Sequence, residues 1–138
     1  MKPTSITCAA TLASVVSAGC FTTGQSWGAD KQKVIDLMKQ RCNMNFNADG
    51  LKGVWDKPGN GVPSRTVRFN LDNGRYARLT LTRIGDGGTD GNGYIKQGDC
   101  VDGLTKEING CEHGGGSLYT NWEYKGDINK SGTDDDGP

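Results

Sequence analysis

Hydrophobic and polar positions alternate with different periods along this chain, and each change of period marks an element. Over residues 31–42, Val34, Ile35, Leu37, Met38 and Cys42 fall on one broad face, with Lys31, Lys33, Asp36, Lys39 and Gln40 on the other. That spacing predicts an amphipathic helix, with Asp30 placed to cap its first turn. The period then drops to two. Val67, Phe69 and Leu71 alternate with Thr66, Arg68 and Asn70, while Ala77, Leu79 and Leu81 alternate with Tyr76, Arg78, Thr80 and Thr82. Two strands joined as a hairpin follow. A second helical stretch, capped by Asp99, aligns Val101, Leu104, Ile108 and Cys111 on one face and stops at Asn109-Gly110. Beyond the glycines at 114–116, Ser117 to Lys125 alternates Leu118, Thr120, Trp122 and Tyr124 against Tyr119, Asn121, Glu123 and Lys125, predicting a final strand.

The remaining segments are shorter or irregular. Residues 20–23 read as a strand and Gly24 to Gly28 as a turn. Residues 43–64 form an irregular stretch anchored by Phe46 and Trp55, and Gly85 to Gly98 is a mobile Gly/Asp/Asn loop. The hairpin register follows from its loop length. A two-residue Asn73-Gly74 loop would pair Phe69 with Arg78 and set the apolar residues on opposite faces. A three-residue loop, Asp72-Asn73-Gly74, pairs Phe69 with Ala77 and Val67 with Leu79, leaving one face apolar; it suits a type I turn closed by a glycine bulge. The order strand, helix, hairpin, helix, strand predicts an α+β domain whose two helices cover one face of an antiparallel sheet.

Composition changes the picture at the N-terminus. Ten of the 46 apolar residues lie in the first 18 positions, where Lys2 precedes the uncharged stretch Ile6 to Val16 and Val16-Ser17-Ala18 supplies small residues for cleavage. This predicts a signal peptide over residues 1–18, too short to span a bilayer, followed by a domain at 19–130 and a disordered acidic tail at 131–138. The remaining 120 residues hold 36 apolar side chains, all 22 glycines and four cysteines, since Cys8 leaves with the leader. A small apolar complement with an even cysteine count points to a secreted, disulfide-stapled domain. With 16 basic and 16 acidic residues, the chain lacks the charge bias of a nucleic-acid or membrane-surface binder.

Helix geometry constrains the bridges among Cys20, Cys42, Cys100 and Cys111. A helix from 100 to 110 separates Cys100 from Cys111 by roughly 16 Å, beyond the ~7 Å limit of a bridge. Two connectivities remain: Cys20–Cys100 with Cys42–Cys111, or Cys20–Cys111 with Cys42–Cys100. Antiparallel helices favour the second.

Few residues carry obvious chemistry. His113 is the single histidine and follows Glu112, so a ribonuclease-like acid/base pair would have to be built on these two and an arginine. The series Asp86, Asp90, Asn92, Gly93, Ile95 and Asp99 resembles a calcium loop but begins at Gly88 instead of a carboxylate. No zinc spacing, phosphate loop or serine-hydrolase motif is present, so no metal, cofactor or catalytic residue is assigned. The outward hairpin face is more informative. The chosen register sets Arg68 opposite Arg78, Asn70 opposite Tyr76, and Thr66 opposite Thr80, combining planar donors, an aromatic ring and hydroxyls. Arg68, Asn70, Tyr76 and Arg78 are the candidate ligand contacts, while Trp55 and Trp122 are read as core. Asn129-Lys130-Ser131 is a glycosylation sequon placed by this reading in an exposed turn.

The segments Cys20-Phe21-Thr22-Thr23-Gly24-Gln25-Ser26-Trp27, Asp99-Cys100, Gly110-Cys111-Glu112-His113-Gly114-Gly115 and Trp122-Glu123-Tyr124, with the helix ending at Cys42, together resemble small secreted fungal proteins grouped with the glycan-binding protein Y-three. The resemblance implies an αββαβ arrangement and lectin activity. Its members often carry two further cysteines and an Asp-Pro-Asn-x-Gly turn, where this chain reads Asp127-Ile128-Asn129-Lys130-Ser131-Gly132. The expected function is that of a secreted, non-catalytic lectin-like protein with a carbohydrate partner. A secreted effector or toxin-like protein engaging a host protein is the alternative, and a small ribonuclease-like enzyme the third.

Overall fold

The computed structural model describes residues 15–55, 63–85 and 93–132. Its organisation starts from one turn. Asn73 and Gly74 both take positive φ, 62° and 76°, a combination that reverses two strands without opposing their twist. This is the backbone of a type I′ turn, where the loop length predicts type I. The third loop residue is absorbed one step earlier: Leu71 N–H donates to the Arg75 carbonyl at 2.8 Å, and Arg75 N–H donates to Asp72. Leu71 and Asp72 thus bulge opposite Arg75. Beyond the bulge β3 (Ser64–Asn70) and β4 (Arg75–Arg83) pair in the expected register, with Val67 facing Leu79, Phe69 facing Ala77 and Arg68 facing Arg78.

The domain is α+β, with antiparallel sheets of five and two strands. In chain order the elements before the hairpin are β1 (Val15–Cys20), α1 (Lys31–Cys42) and β2 (Gly53–Val54); those after it are β5 (Tyr94–Ile95), α2 (Gln97–Gly110), β6 (Gly114–Tyr119) and β7 (Trp122–Lys130). The large sheet runs β1-β6-β7-β4-β3, and β2 pairs with β5. The first strand lies several residues before the expected 20–23 segment, because β6 offers an edge that Val15 to Cys20 pair along. Most of the expected leader, residues 1–14, lies outside the described residues, as do 86–92 of the glycine-rich loop, including Asp86, Asp90 and Asn92, and 133–138 of the tail.

The expected last strand is two strands. Thr120 and Asn121 reverse the chain, so Leu118 faces Glu123 across a hairpin. The three glycines are strand residues, and at two of them nothing larger fits: a Cβ on Gly114 would stand 2.4 Å from the Gly126 carbonyl oxygen. A Cβ on Gly115 would stand 2.5 Å from the Gly19 carbonyl oxygen and 2.8 Å from Cys111 Sγ. Part of the expected glycine-rich loop is also ordered: Gly93 accepts Trp55 N–H, Ile95 is fully buried, and α2 begins at Gln97. Asp99 therefore lies in the first turn of α2, not at its cap, where its charge still complements the helix dipole.

Both helices lie on the apolar side of the sheet. α1 packs on α2, and α2 on β6 and β7. The close approach is made at Gly103, whose absent side chain leaves room for the Tyr124 ring. Val34, Ile35 and Met38 of α1, Leu104 and Ile108 of α2, and Val67, Leu79, Leu81 and Ile128 of the sheet join Trp27, Trp55 and Trp122 in one buried cluster. Trp55 meets Trp122 edge-on at 5.3 Å and Phe46 at 4.4 Å, so the expected anchors do hold the irregular stretch.

Polar ties fix the connections. Cys42, ending α1, bridges to Cys100 in the first turn of α2, and Cys20 bridges to Cys111, which is the pairing antiparallel helices favour. Asp30 makes no side-chain cap on α1, which continues from a 3-10 turn at Gly28–Asp30. Its carboxylate instead pairs with Arg75 at 3.1 Å, while the same guanidinium donates to Gln25 Oε1, the Ser26 carbonyl and the Trp27 carbonyl. Buried Arg83 does the same elsewhere, donating to the Trp55 and Gly85 carbonyls. A guanidinium whose donors meet carbonyls is far less costly to bury than an unpaired charge.

Loss of the Cys42–Cys100 bridge, which closes a 58-residue separation, is expected to cost about 4 kcal/mol through the freed unfolded chain. Urea denaturation of a Cys42→Ser/Cys100→Ser variant measures it, and peptide mapping of the oxidised protein should find only the two linkages given. A second expectation concerns Glu107, which accepts a hydrogen bond from Ser117 and whose carboxyl burial pushes up to about 7, with Ser117 and Lys106 opposing the rise. A carboxyl raised on folding binds its proton more tightly in the native state, so stability falls as pH rises from the usual carboxylate range through about 7. Relative to wild type, Glu107→Gln should gain about 3 kcal/mol between pH 4 and pH 8, read as diverging urea midpoints.

Candidate functional site

Strict alternation leaves the other side of the large sheet polar. Strand pairing arranges it in rows: Asn70, Tyr76 and Asn129; Arg68, Arg78 and Asp127; Thr66, Thr80 and Lys125; Ser64, Thr82 and Glu123. The four candidate contacts from the hairpin are thus brought together, and β7 adds Lys125, Asp127 and Asn129. Asp127 and Asn129 fall beyond the predicted strand, which stops at Lys125, in a segment that reads as a turn; Lys125 lies within that strand but is not among the predicted contacts. The available signal was the continued alternation of Lys125, Asp127 and Asn129 against Tyr124, Gly126 and Ile128.

Tyr76 organises the face. Its ring is only 3% exposed, with the Arg68 guanidinium 3.7 Å above its centroid and that of Arg78 5.8 Å away. The negative π face draws both cations. This answers the like-charge opposition of Arg68 and Arg78, which would otherwise be mildly unfavourable. The same burial corrects the expected role of Tyr76, which holds Arg68 in place and has little surface for stacking on a ligand. Arg68 Nε also donates to Asn70 Oδ1 at 3.1 Å, fixing both exposed side chains.

Asp127 lies on the opposite flank of Arg78. Its Oδ2 is 3.9 Å from Arg78 Nη2 and accepts Asn129 Nδ2–H at 3.1 Å. Burial raises its carboxyl above the usual range, with the Asn129 hydrogen bond and the Arg78 charge opposing the rise. Between these rows lies an open depression of about 230 Å³ lined by Thr66, Arg78, Thr80, Lys125 and Asp127. The Thr66 and Thr80 hydroxyl oxygens lie 2.8 Å apart across the strands. The depression therefore offers charged donors, one carboxylate acceptor and hydroxyls of both roles within one shallow surface.

His113 and Glu112 are placed differently. His113 Nδ1 is 3.2 Å from the Gln25 carbonyl, and the Glu112 carbonyl accepts Trp27 N–H. Both residues tie the segment before α1 to the start of β6. Among the described residues no group of three or more His, Cys, Asp or Glu is arranged to hold a metal ion. No protein-family model and no curated protein matches the chain.

The structure also moves the sequon. Asn129 is 3% exposed within β7, not in an open turn, and its side-chain nitrogen is committed to Asp127. A glycan on that nitrogen would replace one of its two N–H groups and stand where Asn129 is enclosed. Peptide mass mapping of folded protein made in a glycosylating host should therefore show the Asn129 peptide unmodified.

Proposed function

We propose that the protein is a secreted glycan-binding protein acting without catalysis. The observation that carries this reading is the ordered polar face of the sheet, where Arg68, Asn70, Arg78, Thr66, Thr80 and Asp127 present fixed donors and acceptors on the side away from both helices. Saccharides are recognised through many hydroxyls at once, and pre-fixed planar and hydroxyl groups lose little freedom on meeting them. Arg68 is held by the Tyr76 ring and Asn70, and Asn129 and Arg78 flank Asp127. Secretion is supported by two disulfides and by the leader pattern, whose cleavage after Ala18 would leave Gly19 and Cys20 of β1 paired with β6. No helix among the described residues is long and apolar enough to cross a membrane.

A glycan array probed with the protein tests the reading. Binding to a defined set of saccharides is expected, weakened by Arg68→Ala and by Arg78→Ala, each by tenfold or more, as loss of a charged hydrogen bond worth about 1.5–3 kcal/mol requires. Both side chains lie outside the apolar core, so the variants should keep the wild-type melting transition. A blank array at high protein concentration overturns the proposal, and so does binding that both variants retain in full.

A further inference from the structure

The depression on the polar face contains its own counter-charge. Asp127 is ion-paired there with Arg78 of β4, and Lys125 lines the same depression two residues earlier on β7. An acidic ligand would have to enter against this carboxylate. A hydroxyl would not, because it can donate to a carboxylate and accept from an ammonium at once.

Asp127 keeps the capacity for such a bond. A carboxylate accepts at about four lone-pair sites. Asn129 Nδ2–H and the Ile128 backbone N–H each take one, and Arg78, 3.9 Å from Oδ2, is beyond hydrogen-bond length. The surrounding groups match a sugar. The Thr66 and Thr80 hydroxyls bond each other, which spends one of their two hydrogens and leaves the other to donate outward. Lys125 brings ammonium donors from the same row. Gly114, opposite Asp127 on β6, adds no side chain. Among the described residues the charged groups facing Asp127 are therefore Arg78 from β4 and Lys125 from its own strand, with Arg68 beyond Arg78 on β3 and both helices on the other side of the sheet.

We propose that ionised Asp127 is the hydroxyl acceptor that selects the ligand: one hydroxyl of a sugar diol donates to Asp127, its neighbour accepts from Lys125, and the Thr66–Thr80 pair bonds a third oxygen. The assignment rests on the glycan-binding reading. It adds a ligand class, uncharged sugars with adjacent free hydroxyls, and a regulation, release on acidification. A protonated Asp127 lacks the charge that makes this bond strong, so proton uptake competes with the ligand. Burial raises the carboxyl, opposed by Asn129, Arg78, Ile128 and Lys125, and the competition begins above the usual aspartate range. Release in acid is not loss of the fold. Raised carboxyls at Asp127 and Glu107 bind protons more tightly in the native state, and both add stability as pH falls.

Calorimetric titration with a mannose hexasaccharide, a chitin hexasaccharide and a heparin hexasaccharide, from about pH 8 down to about pH 3.5, tests this. At least one neutral probe should bind more tightly than heparin at the upper end. Its affinity should then fall with a slope approaching about tenfold per pH unit below the Asp127 midpoint, as one obligatory ionised group requires. Asp127→Asn should weaken binding about tenfold near neutral pH and flatten the profile. Arg78→Ala should weaken binding yet keep the profile, with its midpoint moved upward because a charge that lowers the Asp127 carboxyl is gone; a flat profile in that variant would show Asp127 acting only through Arg78 and overturn the contact. Glu107→Gln removes the other raised carboxyl, on the helix side of the sheet, and should alter neither affinity nor profile. A pH-independent wild type, tighter binding of heparin, undiminished binding by Asp127→Asn, or no binding of either neutral probe overturns the assignment. Array binding that depends on Arg68 and Arg78 would still uphold the glycan reading, whereas a blank array removes both. The wild-type profile and the Arg78→Ala shift decide the matter even if Asp127→Asn does not fold.

Discussion

Leu79 faces Val67 on one neighbouring strand and Gly126 on the other, and Arg78 beside it faces Arg68 and Asp127. A single register therefore sorts two chemistries across three strands at once. If the turn slipped by one residue, the guanidiniums of the hairpin would enter the layer occupied by Leu104, Ile108 and Trp27, and the apolar set would face water. The positive φ of Asn73 and Gly74, together with the bulge at Leu71 and Asp72, holds the chain to the alignment that avoids this. Core and binding face are two sides of the same constraint.

The inner layer is thin, so its edges depend on polar ties. Arg75 gathers Gln25, Ser26, Trp27 and Asp30 onto the start of β4, and Arg83 gathers Trp55 and Gly85 at its end. Trp27 contributes both an apolar body and an indole N–H that donates to the Cys111 carbonyl at 2.8 Å. Two arginines at opposite ends of one central strand thus anchor long irregular segments that carry few large apolar residues of their own. Glycine has the complementary role at Gly103 and Gly115, where missing side chains let helix, strand and disulfide approach closely.

Period and loop length made α1 and the hairpin register readable in the sequence, because each depends on neighbours a few residues away. The choice of disulfide pairing was narrowed by helix rise alone, since Cys100 and Cys111 belong to the two ends of one helix. The β6–β7 hairpin was hidden for a long-range reason. Gly114 to Gly116 look like punctuation until β1 and β7 are in place on either side, and only then does the lack of a side chain at Gly114 and Gly115 become a packing requirement. Asp127 and Asn129 were lost with it, read as a turn although they continue the alternation begun at Trp122. Asp30 illustrates a different failure: its position before a helix predicts a cap, but Arg75, 45 residues away, is the partner it takes.

The two bridges are nested, Cys42–Cys100 within Cys20–Cys111, and β7 follows the last cysteine while standing in the middle of the sheet. Assembly order is thereby set apart from covalent order. The hairpin and both helices can be tied into crosslinked loops while the sheet still lacks the strand that joins β4 to β6. The domain closes like a zip whose slider is its final segment: the residues that complete the polar face, Lys125, Asp127 and Asn129, arrive in the same step that joins the two halves of the sheet. A chain halted before Trp122 would keep every disulfide yet possess neither a continuous sheet nor a finished surface.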